Sequence, residues 1–171
     1  MTRSAGHGQL LSRSELFEIL DTVKDPEVPV LSVVELGIVR DAEARDGGVV
    51  VTITPTYSGC PAMHEIEQEV RAALEQHHVG TVEIRTTYTP AWTTDWIGPE
   101  ARAKLEAYGI APPGPSDTSE LIPLRRRAST VRCPYCKSVH TVQKSAFGST
   151  ACKSIWVCND CQQPFEEFKA I

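Results

Sequence analysis

Six of the 171 residues are cysteines, and their spacing separates two kinds of thiol. Cys133-Pro134-Tyr135-Cys136 and Cys158-Asn159-Asp160-Cys161 are C-x-x-C turns with 21 residues between them. Such a turn sets two sulfurs on one side of a metal. Two turns close the four-thiolate tetrahedron of a structural zinc site. The gap is slightly longer than usual, which a hairpin of variable length absorbs. Tetrahedral sulfur also suits iron, so iron stays open beside the preferred zinc. A module of about 45 residues has little core, so a bound metal would contribute much of its folding free energy.

Cys60 stands apart. It follows a β-branched run, Val49–Thr54, and a turn through Tyr57, Ser58 and Gly59, and it precedes Pro61 and a helical pattern. A thiol at a helix N-terminus meets free N–H donors and partial positive charge, which lower its pKa. The competing reading is a buried, inert cysteine at a strand end, and on this residue alone that reading leads. Cys152 is a further thiol of the C-terminal module, in Phe147-Gly148-Ser149-Thr150-Ala151-Cys152-Lys153. It is either a small buried hydrophobe or a reactive group with its pKa lowered by Lys153. His64 is placed to share a helix face with Cys60, but no orienting partner marks a nucleophilic dyad. Asp25 and Glu27 are paired carboxylates in a turn-like Asp-Pro-Glu, which is more often a solvated cap. Trp92 and Trp96 offer a docking surface or, more simply, loop packing.

The elements that position these groups follow from periodicity. Ser12 and Glu15 form a capping box for a helix from Arg13 to Val23, whose apolar positions are Leu16, Ile19, Leu20 and Val23. Ile38–Ala44 and Val49–Thr54 read as a hairpin turning at Asp46-Gly47-Gly48, the second strand deep in the sheet. A second helix spans Pro61–His77, with Met63, Ile66, Val70 and Leu74 as its stripe. A third strand spans Thr81–Tyr88, and Pro99–Tyr108 is a helix stopped by Gly109. The order α-β-β-α-β-α predicts a small α/β (α+β) domain over residues 12–110, after a flexible tail at 1–11. A Pro- and Ser-rich linker is expected at 111–127 and a zinc ribbon at 128–171. The ribbon's strands are expected at Val139–Gln143, Lys153–Val157 and Gln163–Lys169.

Charge divides the chain the same way. Residues 1–124 carry 9 Lys and Arg against 19 Asp and Glu, whereas residues 125–171 carry 8 against 3. The basic tail, with Arg125-Arg126-Arg127, invites a nucleic-acid reading. The acidic main domain and the lack of an aromatic–basic stripe argue against it. No apolar run approaches a membrane span, and the N-terminus lacks the apolar core of a signal peptide. The expected location is the cytoplasm, where a tight cysteine cluster favours metal over disulfides.

Three stretches carry a family resemblance: Asp25-Pro26-Glu27-Val28-Pro29, Val33-Val34-Glu35-Leu36-Gly37-Ile38-Val39, and Thr54-Pro55-Thr56-Tyr57-Ser58-Gly59-Cys60-Pro61. Together they resemble the iron–sulfur assembly domain shared by SufT-like proteins and eukaryotic cytosolic targeting factors. Trp92-Thr93-Thr94-Asp95-Trp96-Ile97, both knuckles, the Phe147–Lys153 stretch and Pro164-Phe165-Glu166-Glu167-Phe168-Lys169 extend the likeness to the PaaD (PaaJ) family of phenylacetate-CoA oxygenase subunits. The resemblance implies a part in aerobic phenylacetate catabolism, where a multicomponent monooxygenase converts phenylacetyl-CoA to its ring 1,2-epoxide. In that system a di-iron subunit oxidises, and a flavin and [2Fe–2S] reductase supplies electrons. It further implies an accessory, non-oxidising protein that matures a metal centre of those components. Cys60 matches the family's reactive cysteine, and Asp25 and Glu27 its acidic motif.

The residues agree with that division. There is no flavin fingerprint and no helix-bundle carboxylate set for a di-iron site. One cysteine cannot complete a [2Fe–2S] site, so a transient cluster at Cys60 would be shared with a client or between two chains of a homodimer. The competing expectation is an interaction subunit of the oxygenase, with zinc for stability only.

Overall fold

The computed structural model describes residues 11–114 and 130–171. The tail expected at 1–11, save Leu11, most of the linker at 111–127, and Arg125-Arg126-Arg127 lie outside them.

Helix α1, Arg13–Leu20, opens on the expected capping box: Ser12 Oγ accepts from the Glu15 amide, and the Glu15 carboxylate accepts from the Ser12 amide at 2.7 Å. The helix stops three residues short of the expected Val23. There the Thr22 hydroxyl bonds the Ile19 carbonyl, and the Val23 carbonyl turns to the Val33 amide. Strands β1 (Val39–Arg45) and β2 (Gly48–Ile53) form the hairpin, and β3 (Thr81–Thr86) pairs with β2 in parallel. β2 is therefore the central strand, and three of its four valine and isoleucine side chains are almost wholly buried. Parallel pairing requires a crossover. Helix α2, Ala62–Gln76, provides it, and buries Ile66, Val70 and Leu74. Strand β3 ends two residues before the expected Tyr88, where the Thr87 hydroxyl bonds the Thr89 carbonyl.

Helix α3, Pro99–Tyr108, ends at Gly109, which adopts φ 96°. The next two residues, Ile110–Ala111, are β4, which the sequence reading places at a domain end and in a linker. β4 pairs in parallel with β7, Pro164–Phe168. β5 (Thr141–Ser145) and β6 (Lys153–Cys158) complete a second sheet in the order β4-β7-β6-β5. The main domain thus supplies an edge strand to the ribbon. A two-residue strand has no periodicity, so no pattern announces it.

The joint is also apolar. Phe168 is 1% exposed, Cys152 is 3% exposed, and both belong to the core of the main domain rather than to that of the ribbon. Phe168 meets Trp92 with ring centroids 6.1 Å apart, and the indole N–H of Trp92 donates to the Leu36 carbonyl at 2.9 Å. The carbonyl of Ile171 accepts from the Thr94 amide and the Thr93 hydroxyl. Trp92 therefore packs rather than docks. Trp96 is half-buried, with the Arg40 guanidinium 3.6 Å above its ring.

Candidate functional site: a thiol cage and a thiol pocket

The two C-x-x-C turns fold alike. In each, the first cysteine's amide bonds the carbonyl five residues on, Cys133 to Ser138 at 2.8 Å and Cys158 to Gln163 at 3.1 Å. In each, the residue after the second cysteine is left-handed: Lys137 at φ 64° and Gln162 at φ 60°. These turns aim amides back at sulfur, and the amides of Cys161 and Asp160 help bring Cys158 down to about 7. All four thiol sulfurs lie within 4.8 Å of one another. Cys133–Cys161 and Cys136–Cys158 are separated by 3.7 and 3.5 Å. That is far beyond a disulfide bond, and close to the roughly 3.8 Å edge of a tetrahedron with Zn–S bonds of about 2.3 Å. The donor set and its spacing suit a single tetrahedral metal ion.

The other two thiols line one cavity where the ribbon docks. Asp25 is 6% exposed, and its Oδ1 accepts from the amides of Glu27 and Val28, both at 2.8 Å. This turn presents the Glu27 side chain to the ribbon. Glu27 Oε2 lies 3.8 Å from Cys152 Sγ, and the Lys153 ammonium reaches the Glu27 carbonyl at 3.1 Å. The Lys169 amide donates to the Cys152 carbonyl at 2.9 Å, so pairing of β6 with β7 holds the thiol in place. Across the gap, Cys60 sits two residues before α2. Gly59 at φ 84° makes the turn that delivers it. Asp25, Glu27, Thr56, Cys60, Met63 and Cys152 line one small cavity, closed on its apolar side by Leu36, Ile38 and Phe168.

Charge in this cavity runs against the sequence expectation. A helix N-terminus lowers a thiol pKa, and Lys153 is expected to do so for Cys152. Both thiols are instead pushed up. For Cys60, burial comes first and the Glu27 charge adds to it; the Ala62 amide, Thr56 and Tyr57 pull the other way. For Cys152, burial again leads, and Thr150 and Lys153 oppose it. The Lys153 ammonium is shared with Glu166, at 3.3 Å, and so does not serve the thiol alone. Burial also raises Asp25 and Glu27, and Glu27 feels Asp25 in addition. Tyr57 is pushed up to about 12, by burial and then by the Cys60 thiol, so it stays a donor. The cavity therefore gathers four groups able to become anionic, and it disfavours that charge until a cation enters.

His64 bonds Gln68 at 2.9 Å, and the dyad reading of Cys60 finds no support. Sequence reading misses that Cys152 belongs beside Cys60. The signal available is Phe165 and Phe168, three positions apart in one strand and so on opposite faces, which gives the ribbon one apolar face more than its own core uses.

A small α/β domain with this thiol turn, joined to a four-cysteine ribbon, is the architecture of an iron–sulfur assembly-type domain with a zinc-ribbon extension. Residues 13–85 match the family model of iron–sulfur cluster assembly proteins, and residues 117–169 match the PaaD zinc β-ribbon domain. Along 158 residues, 92% of each chain, the sequence is 44% identical to a protein of Escherichia coli (strain K12) whose provisional name makes it the D component of 1,2-phenylacetyl-CoA epoxidase. The chain belongs to that PaaD family of epoxidase components. Its first part alone, 98 residues, is 37% identical to an Fe–S protein maturation auxiliary factor of Porphyromonas gingivalis, covering 56% of this chain and 92% of that one. The crystal structure of a domain of unknown function, DUF59, from Bacillus anthracis superposes with a TM-score of 0.51 at 29% identity, covering 54% of this chain and 90% of that one. No helix among the described residues is long and apolar enough to cross a membrane.

Proposed function

We propose that the protein is an accessory component of phenylacetate degradation that matures an iron–sulfur or iron centre of the phenylacetyl-CoA epoxidase, with Cys60 as the thiol that holds and releases the cargo. Family membership supports the pathway, and kinship with Fe–S maturation factors supports the maturing role. The single observation that carries the role of Cys60 is its cavity. A half-buried thiol faces three donors, the Ala62 amide, Thr56 and Tyr57, which would hold a thiolate once a metal offsets the cost of burial.

In this reading the four ribbon thiolates hold zinc for structure, and Asp25 and Glu27 shape the cargo pocket. The client is the iron–sulfur flavoprotein reductase or the di-iron subunit. Release needs soft ligands in a site that is not closed. The ribbon's four-thiolate shell is closed, and the single thiol of Cys60 is not.

The competing reading makes the protein a structural subunit of the oxygenase. Producing the epoxidase components with graded amounts of this protein separates the two. Maturation predicts full iron loading at substoichiometric amounts and no fixed place in the purified active enzyme. A stable subunit at fixed stoichiometry, with iron content indifferent to its level, would overturn the proposal.

A further inference from the structure

We infer that Cys60, Cys152 and Glu27 form a second metal site, between the main domain and the ribbon, which takes a single divalent transition-metal ion. The inference builds on the cargo reading only in naming that ion as ferrous iron; the site itself rests on the shared lining of one cavity and on the Cys152–Glu27 pair.

Three observations meet there. First, the two thiols come from different modules yet line one cavity with two carboxylates. Second, Cys152 Sγ and Glu27 Oε2 are 3.8 Å apart. Ligands on one ion at about 2.3 Å for sulfur and about 2.1 Å for oxygen lie roughly 3.6 Å apart, so the pair needs almost no movement. Third, the cavity is small. Its free volume of about 10 Å³ matches one water-sized body, too little for a rhombic cluster. Among the described residues the four ribbon sulfurs are the one set of three or more donors already within ligand distance of one another, so Cys60 must swing its sulfur toward Cys152 and Glu27 as the ion enters.

Ligand softness selects the occupant. Two thiolates and one carboxylate favour Fe²⁺ or Zn²⁺ over Mg²⁺ and Ca²⁺, which prefer shells made wholly of oxygen. Binding exchanges the two S–H protons for two metal–sulfur bonds, without electron transfer: the ion enters with charge +2 and two protons leave to solvent. Affinity therefore rises with pH. The groups facing the site set that dependence: Asp25, Glu27, Tyr57, Cys60 and Cys152, with Lys153 from β6 opposing the cation and Glu65 of α2 acting through Asp25. The site also gives the ribbon's attachment a purpose, because undocking it would remove one of the two sulfurs.

The test is anaerobic titration of the full-length, zinc-loaded protein with Co²⁺, reading thiolate-to-cobalt absorption while ribbon zinc is counted. The expected result is one Co²⁺ per chain beyond the retained zinc, with no response to Mg²⁺. Cys60→Ser and Cys152→Ser each abolish the thiolate band, and Glu27→Gln weakens binding about tenfold or more. Absence of the additional ion, or an unchanged band in Cys152→Ser, overturns the site. Should Cys152→Ser lose zinc or fold poorly, Glu27→Gln decides, and unchanged affinity there overturns it as well. Client loading run in parallel separates this inference from the cargo reading. Loss of loading in Cys60→Ser without a second ion defeats the metal site alone. A confirmed second ion with full loading in Cys60→Ser defeats the cargo reading alone.

Discussion

The cage and the pocket both present thiols, but they are built in opposite ways. The cage draws its four sulfurs from two short turns, each closed by its own backbone bonds. The pocket draws two sulfurs from positions 60 and 152, brought to one cavity by the docking of one module on the other. A cage built from local turns is closed and suited to permanent retention. A pocket built at a joint depends on that joint for part of its lining. On the proposed reading, that difference gives retention to one site and exchange to the other.

The largest expected effect breaks the cage. Cys133→Ser or Cys158→Ser removes a buried ligand, and metal contributes about 10–16 kcal/mol to the folding of small zinc modules. The ribbon should unfold with loss of zinc. Because Phe168 and Cys152 complete the main core, the thermal transition of the whole protein should fall too. A main-domain transition left at its wild-type temperature would show the joint to be dispensable.

Phe168→Ala attacks the joint directly. Truncating a phenylalanine with this burial costs about 3–5 kcal/mol. In a domain of this size the melting temperature should fall by roughly 2–4 °C per kcal/mol. Zinc content should stay at one per chain while the ribbon undocks, seen as faster alkylation of Cys152. An unchanged Cys152 alkylation rate would mean that the thiol's shelter does not depend on Phe168.

A smaller effect sharpens the electrostatics of the pocket. Asp25 has its folded pKa raised by burial, so its ionisation costs stability as pH climbs from the ordinary carboxylate value through the folded one. Asp25→Asn keeps the Oδ1 acceptor for the Glu27 and Val28 amides and removes that charge. Metal-free Asp25→Asn should match wild type in acid and become relatively more stable as pH rises to neutral. Asp25→Ala should be less stable at both, by about 1–2 kcal/mol for the lost hydrogen bonds. Denaturant midpoints at pH 4 and pH 7 check both.

The same contrast explains what is legible in the sequence. The cage is readable because C-x-x-C is a local code, and the repeated left-handed residue after each second cysteine is a local matter too. The capping box at Ser12, the α2 stripe and the Gly109 stop are readable for that reason. The end of α1 escapes because Val23 is claimed by Val33, a tertiary partner. β4 escapes because its two residues gain strand character only from β7. The place of Cys60 before a helix predicts a lowered pKa, yet burial and Glu27 decide it. Local dipoles are visible in a sequence, whereas burial is a property of the packed whole.

The central claim is that Cys60 carries cargo while the ribbon only holds its shape. Iron and acid-labile sulfide in the epoxidase reductase and di-iron subunits, produced with wild-type protein or with Cys60→Ser, test it most directly. The account predicts client iron lowered severalfold by Cys60→Ser, with ribbon zinc and the melting temperature of this protein unchanged. Fully loaded, active client subunits in the presence of Cys60→Ser alone would contradict it.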